Sequence, residues 1–432
     1  MNYKDYFKDK NIAIIGLGPH GEMIADIKFL LKNKAKVSLY DIRSEERIKK
    51  YIMSLSVGGL SNFQFGKIDD DELIKYDLII LSHEISKKSR FLKKAIDAGI
   101  QIEFPDTIFF KLAPPIILVG IIGICGKSTV AHLLYSMLKK SFLINENQGL
   151  FLIDPDSTNG VLNHLRKIKK DDLIIIRIPE ALLDQYYQMR ISPHVAIITT
   201  TVSFKILEFQ TQNNFIVATD SVVDSMKLNI DFTPRAKILR TRSSMIPADW
   251  SINSKAIHNL ENASLALQTS ELFKVSKDIV KDVIQGFLGF RGHIELIKKL
   301  NGVDYYNDAS SVSPLATLAA LRTLSNNRNI VLIFGGAYTG YDYNELINNL
   351  SQYIHTIILI AGSGTIGIRE KIEKIDNIKS IYVMNLEQAV KKSKEFAGKG
   401  DIVLFSPGFD AVGIDISRKE RGEKFVKAIR AI

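Results

Sequence analysis

Short, nearly unbroken apolar runs alternate with amphipathic stretches along most of this chain. Asn11–Gly16, Asp77–Ser82, Ile116–Gly123, Leu173–Ile178, Val195–Thr199, Asn214–Ala218, Asn329–Phe334, Thr356–Ala361 and Ile402–Phe405 are such runs. Lys36–Asp41 is a further strand of mixed character, and Ile100–Phe104 a short one. Runs this short, rich in Ile, Val and Leu and without strict alternation, predict strands buried on both faces, as in parallel sheets. Helical periodicity follows Gly21 to about Asn33, then Lys87–Ala98 before Gly99, Val130–Lys140, Lys255–Phe273, Ser276–Phe287 and Ser313–Leu324. Strand and helix therefore alternate in three successive α/β units. Pro105 and Pro114-Pro115 mark the first boundary, and Phe290-Arg-Gly-His293 reads as a hinge at the second. The expected fold class is α/β with three domains, at residues 1–112, 113–292 and 293–432, with ligand clefts at strand C-termini.

Composition narrows this picture. At 432 residues the chain is too long for one core, and 46% apolar with 24% charged residues is ordinary for a folded soluble protein. The net charge of +10 is spread over a lysine-rich surface, with no dense basic block interleaved with aromatics, so nucleic acid is not an expected partner. Cys125 stands alone, which excludes an internal disulfide and a Cys-based zinc site and fits a reducing compartment. The first ten residues lack the apolar core of a signal peptide. The uncharged run Leu112–Gly126 is 15 residues with two prolines, too short for a bilayer span. A cytoplasmic protein without integral membrane contact is expected.

Two glycine-rich turns carry the chemistry. Gly123-Ile-Cys-Gly-Lys-Ser-Thr129 joins a predicted strand to a predicted helix. In that setting glycines let backbone N–H groups crowd a phosphate at a helix N-terminus. Lys127 can then reach the β/γ-phosphates, and the Ser128 or Thr129 hydroxyl can bind Mg²⁺. The first glycine of the usual G-x-x-x-x-G-K-[ST] falls on Ile121, so the loop is a variant, and a chance Gly-Lys-Ser after a strand is the bland alternative. Nearer the start, Gly16-Leu17-Gly18-Pro-His-Gly21 follows the first strand, and Asp41 ends the second, about 20 residues beyond the last glycine. Asp41 is placed to bond a ribose or a base; the alternative is that the glycines serve only the turn. Cys125, just before a helix, is either a reactive thiol or a small loop residue.

Taken in order, these landmarks resemble the Mur ligases, and among them the D-glutamate-adding members. Gly16–Gly21 with Asp41 is similar to the UDP-binding first domain, which implies Gly16, Leu17, Gly18 and Asp41 as contacts to the UDP-sugar. Gly123–Thr129 is similar to G-T-N-G-K-S-T, with Ile124 and Cys125 for Thr and Asn. His258-Asn-Leu-Glu-Asn262 is similar to the H-N-x-x-N that holds adenine. Asn307-Asp308, Pro314–Leu321, Gly335-Gly336, Ser406-Pro407-Gly408 and Glu420-Arg421-Gly422 are similar to landmarks of the third domain. The resemblance spans the chain. It implies a Rossmann-like first domain, a phosphate-loop ATPase-type sheet and a Rossmann-like third domain. It also implies ATP and Mg²⁺, with Gly123, Ile124, Cys125, Gly126, Lys127, Ser128, Thr129, Asn262 and Asp308 binding ATP. Lys127 and Ser128 would be catalytic, and Ser128 and Thr129 metal-binding. The implied reaction adds D-glutamate to UDP-N-acetylmuramoyl-L-alanine through an acyl phosphate, for peptidoglycan synthesis, with other cell-wall enzymes as candidate partners.

Several family groups are replaced. The acid at one strand end falls on Arg177, with Glu180 three residues on, and the N-x-S-P-D-H segment reads Thr200-Thr-Val-Ser-Phe-Lys205. The stretch that bears a carbamylated lysine is shortened between Glu208 and Asn214. Two lysines of the third domain fall on Ser310 and about Thr339, and the glutamate-gripping Ser and Phe fall near Ala411 and Arg418. The hinge arginine aligns with His293, two residues from Arg291. A cation clamp in phosphoryl transfer is worth roughly 10³–10⁵ in rate, so two alternatives stand beside the ligase. One is a nucleotide-binding relative with impaired catalysis and a regulatory or scaffolding role; the other is a Mur-type ligase with a different acceptor.

Overall fold

The computed structural model describes residues 2–18, 21–43, 45–53, 55, 59–142, 148–155, 157–228, 232–250, 257–287, 289, 292–338, 340–410 and 418–432. The chain divides into two compact units, Met1–Phe287 and Leu288–Ile432.

The first unit holds two parallel sheets. In the first sheet β1 (Asn11–Ile15), β2 (Lys36–Asp41), β3 (Leu60–Phe65), β4 (Leu78–Leu81) and β5 (Gln101–Glu103) take the order β3-β2-β1-β4-β5. The order reverses at β1, so its C-terminal end, with Gly16 and Gly18, lies at a switch point where crevices form. In the second sheet the strands are β6 (Ile117–Ile122), β7 (Leu150–Ile153), β8 (Leu173–Arg177), β9 (Val195–Ile198), β10 (Phe215–Thr219) and β11 (Lys237–Thr241). They are ordered β11-β10-β9-β6-β8-β7, which places the strand of the phosphate loop between β9 and β8.

Alternation along the strands explains why these two sheets share one unit. Ile122, Ile174, Ile176, Ile198 and Ile216 point to one face and join the same apolar core as Ile14, Leu39 and Ile80 of the first sheet. Val119, Ile121, Ile175, Ile197 and Val217 point to the other face, against Val130, Leu134 and Met137 of the Lys127–Phe142 helix and Ala266 of the Ile257–Leu272 helix. The Pro105–Leu112 helix occupies the proline-marked stretch expected to be a domain boundary, and it buries Ile108 and Phe109 in the first of these cores.

The second unit is built on β12 (Glu295–Leu300), β13 (Val303–Asn307), β14 (Ile330–Phe334), β15 (Ile354–Ile360), β16 (Lys379–Val383) and β17 (Ile402–Phe405). Their order is β12-β13-β17-β14-β15-β16, with β12 antiparallel to β13 at the edge. Both faces are covered, one by Leu318 and Leu346, the other by Val390 and Phe425. Pro314–Leu324 is helical as expected, and Ser313 caps it by accepting from Ala316 N at 3.3 Å. Among the described residues no helix is long and apolar enough to cross a membrane.

The periodicity located most of the core strands to within a residue or two and missed peripheral elements. β3, β7, β11 and β16 are absent from the sequence reading because they are edge strands with partly exposed residues; β3, β11 and β16 are of mixed polarity, and β7 is only four residues long. The stretch Lys87–Ala98 is less regular than expected: a 3₁₀ turn at Arg90–Leu92 leads into a short helix at Lys93–Asp97.

Candidate functional site

The phosphate loop leaves β6 at Gly123 and enters the Lys127–Phe142 helix. Gly123 and Gly126 have φ of +143° and +83°, where L side chains are strained. Space forbids them as well. A Cβ on Gly123 would lie 2.1 Å from Thr199 Oγ1, and one on Gly126 2.4 Å from Asn262 Oδ1. The second figure shows that the Ile257–Leu272 helix brings Asn262, which is buried, directly against the loop. Ile124 N donates to Thr200 Oγ1 at 2.7 Å, and Thr199 Oγ1 reaches Cys125 O at 2.5 Å, so the end of β9 braces the turn. The Lys127 ammonium folds back on the loop, donating to Gly123 O and to Ile124 O at 3.3 Å. Ser128 and Thr129 occupy the first turn of the helix, half-buried, with no acidic residue in that turn. This arrangement offers a helix N-terminus, a positive-φ backbone and one ammonium to an anion. Burial raises the Cys125 thiol above its ordinary value even with Lys127 near, which argues for the small-residue role over a thiolate.

On the far side of β6 stands Arg177, at the end of β8 and in register with Ile121. Its Nη1 lies 2.6 Å from both Oδ1 and Oδ2 of Asp154, just beyond β7. Glu180, the acid three residues on from Arg177, is exposed at the start of a 3₁₀ turn, Glu180–Leu182. Asp154, Thr199 and Thr200 carry no local signature: each matters through the neighbouring strand, and strand order is not visible in periodicity.

At the end of the first sheet Asp41 is buried and its oxygens are occupied. Oδ2 accepts from Leu17 N at 3.0 Å and from Arg43 Nη2 at 2.6 Å; Oδ1 accepts from Arg43 N and Nε, both at 2.9 Å. Desolvation alone would raise this carboxyl, but the Arg43 guanidinium and these donors outweigh it and hold it below its ordinary value. Arg43 Nη2 also donates to Gly18 O at 3.1 Å, and Glu22 Oε2 fills the space a Cβ on Gly18 would take. Gly16, Leu17, Gly18 and Asp41 are thus one assembly, with Asp41 fastening the turn and Arg43 presenting the charge. The glycine-and-acid spacing in the sequence points to Asp41 but gives no sign of the arginine two residues on.

In the second unit Asp308 lies at the C-terminal end of β13, buried. Its Oδ1 accepts from Ile294 N at 3.1 Å and its Oδ2 from Ser406 Oγ at 2.7 Å. Burial pushes the carboxyl up to about 7, against the hydrogen bonds from Ser311, Ser406 and Ile294 N. Two sequence landmarks nearly a hundred residues apart, Asn307-Asp308 and Ser406-Pro407-Gly408, thus meet because β13 and β17 are neighbours. Gly335, Gly336 and Phe409 close the same edge, with Gly335 N donating to Pro407 O at 3.0 Å. Arg291, Thr339 and Ala411 lie outside the described residues, as do the side chains of His258 and Arg418.

Two family models match the chain: the Mur ligase MurD-like N-terminal domain over residues 10–103, and the Mur ligase glutamate ligase domain over 292–409. The UDP-N-acetylmuramoylalanine–D-glutamate ligase of Roseiflexus sp. (strain RS-1) is 26% identical, over 98% of this chain and 98% of its own. Both ends of the chain thus match Mur ligase domains, and its full length is similar to a D-glutamate-adding ligase. Solved Mur ligases share its fold. UDP-N-acetylmuramate–alanine ligase MurC from Thermotoga maritima covers 98% of this chain and 99% of its own, with a TM-score of 0.60 at 14% identity. MurF ligase from the same organism, solved in complex with ADP, covers 99% of this chain and 97% of its own, with a TM-score of 0.54 at 15% identity. The matched N-terminal segment contains the Asp41–Arg43 assembly, and the matched C-terminal segment contains the Asp308–Ser406 pair.

Proposed function

We propose that this protein adds D-glutamate to UDP-N-acetylmuramoyl-L-alanine in an ATP-dependent reaction of peptidoglycan precursor synthesis. The phosphate loop carries the reading: Lys127 over positive-φ glycines, braced by Thr199 and Thr200 and backed by Asn262, is an ATP-phosphate cradle. The name of the Roseiflexus relative supports the acceptor and the UDP-sugar.

In this reading residues 1–112 hold the UDP-sugar through Gly16, Leu17, Gly18, Asp41 and Arg43, residues 113–292 hold ATP, and residues 293–432 carry Asp308, which the family landmarks assign to ATP. Gly123 to Thr129 cradle the phosphates, and Lys127 turns from its loop carbonyls to the β/γ-phosphates. A substrate carboxylate oxygen attacks Pγ, the bond from Pγ to the bridging oxygen breaks, and ADP leaves with that oxygen. The amine nitrogen of D-glutamate then attacks the acyl carbon, inorganic phosphate leaves, and the amine releases its proton. The hydroxyls of Ser128 and Thr129 suit a hard, oxygen-seeking cation. Mg²⁺ held there would neutralise charge on the phosphates. The work of the protein is positioning and charge neutralisation. The reaction places the protein in the cytoplasm, where other enzymes of the same synthesis are candidate partners.

Purified protein with ATP, Mg²⁺, UDP-N-acetylmuramoyl-L-alanine and D-glutamate is expected to release phosphate, and Lys127→Ala to abolish the release. A protein that binds ATP without releasing phosphate would establish the second reading, a nucleotide-binding relative without ligase activity. Phosphate release with another amino acid and not with D-glutamate would establish a different acceptor.

A further inference from the structure

Strand ends flank the phosphate loop on both sides. β9 supplies Thr199 and Thr200, whose bonds to the loop backbone give them an evident purpose. β8 supplies Arg177, and the proposed reaction assigns it none.

The placement of Arg177 is specific. It pairs in register with Ile121, two residues before Gly123. By alternation it shares the face of Ile175, which packs beneath the Lys127–Phe142 helix. Adjacent strands stand about 4.8 Å apart, so Arg177 stands one strand from the loop strand, with its guanidinium held by Asp154 at the same C-terminal edge of the sheet. Its side chain is 16% exposed, and Asp154, one strand further out, is 31% exposed. A paired, half-buried ion pair is weak grounds for stability, because apolar side chains of similar size would seal a sheet end as well. The pair does two other things. Asp154 fixes the orientation of a planar fork suited to phosphate oxygens. Asp154 also cancels the charge of Arg177 while the site is empty of anion, so the arginine does not repel a cation held by Ser128.

We propose that Arg177 is a fixed cation for the terminal phosphate of the bound nucleotide, with Asp154 as its positioning residue. The inference rests on the nucleotide reading of the phosphate loop. As Pγ passes from the bridging oxygen to the carboxylate oxygen, negative charge gathers on the oxygen leaving with ADP. A guanidinium already oriented at that edge offsets it without reorganising.

The test separates the terminal phosphate from metal and from turnover. Calorimetric titrations of the full chain with ATP and with ADP, both in EDTA, give the ratio of the two affinities. The unmodified protein is expected to bind ATP more tightly than ADP. Arg177→Gln is expected to lose about tenfold in ATP affinity, the scale of one charge-assisted hydrogen bond, with ADP affinity unchanged. Arg177→Lys keeps the charge without the fork, and Asp154→Asn keeps the fork without its anchor; each is expected to lose part of the preference. An unmodified protein with no preference for ATP, or an unchanged ratio in folded Arg177→Gln, overturns the inference. If Arg177→Gln does not fold, unchanged ratios in both other variants overturn it. Failure of the unmodified protein to bind either nucleotide overturns the nucleotide reading itself, a separate outcome.

Discussion

Gly126 shows what a single residue decides in this protein. Its φ of +83° and the neighbouring Asn262 Oδ1 together leave no room for a side chain. Gly126→Ala should therefore cost about 1–2 kcal/mol in backbone strain and displace Asn262. The expected result is a lowered melting temperature and a loss of ATP affinity of about tenfold or more, measured by thermal unfolding and calorimetry. Asp41 makes a complementary case. Asp41→Asn keeps the shape but loses the Arg43 ion pair, so the Leu17–Gly18 turn loosens. The KM for the UDP-sugar should rise about tenfold, the scale of one charge-assisted bond, while the KM for ATP stays fixed. Equal changes in both constants would sink the assignment of this turn to the UDP-sugar. Residue types at Gly16, Gly18, Asp41, Gly123, Gly126 and Lys127 were legible in the sequence because backbone chemistry demands them. Arg43, Asp154, Thr199 and Thr200 were not, because any of many surface-compatible residues could stand at a strand end.

At the scale of elements, the Met23–Lys32 helix joins the two sheets of the first unit through one buried group. Asp26 Oδ1 accepts from Leu162 N at 2.7 Å, and burial pushes this carboxyl up to about 7 from an ordinary 3.8. Below about pH 4 the group is protonated in both folded and unfolded chains. Between there and pH 7 only the folded chain keeps the proton, so stability falls as pH rises, and it levels off above 7. Asp26→Asn removes this dependence. The variant should gain on the unmodified protein from pH 4 to pH 8, by up to about 4 kcal/mol, as thermal unfolding across that range would show. A constant difference between the two proteins would refute the buried-acid account. The N-cap of the Pro314–Leu324 helix is a simpler element. Ser313→Ala should destabilise the second unit by about 1 kcal/mol, read from its denaturant midpoint. That helix, its proline and its cap were legible in Ser313-Pro314 itself. The edge strands β3, β11 and β16 were not, since half-exposed strands of mixed polarity carry no unbroken apolar run.

For the whole molecule, the two units differ in how independent their sheets are. The sheet of the second unit has a core on each face, formed within Leu288–Ile432. A fragment of residues 293–432 should unfold cooperatively by itself. The two sheets of the first unit share one core, so a fragment ending at residue 112 should expose Ile108 and Phe109 and aggregate or unfold without cooperativity. Cooperative folding of that short fragment would contradict the shared core. The sequence by itself determined the α/β class, the order of most strands and helices along the chain, and the glycines, lysine and acids of the candidate sites, because local periodicity and backbone conformation are written in neighbouring residues. Only the tertiary structure decided which strands are neighbours. That placed Thr200 on the loop, Asn262 beneath it, Asp154 on Arg177 and Ser406 on Asp308. The Asp154–Arg177 pair joins residues 23 positions apart, and the Ser406–Asp308 bond residues 98 apart. Parallel strands are brought together by crossovers whose order no local pattern encodes.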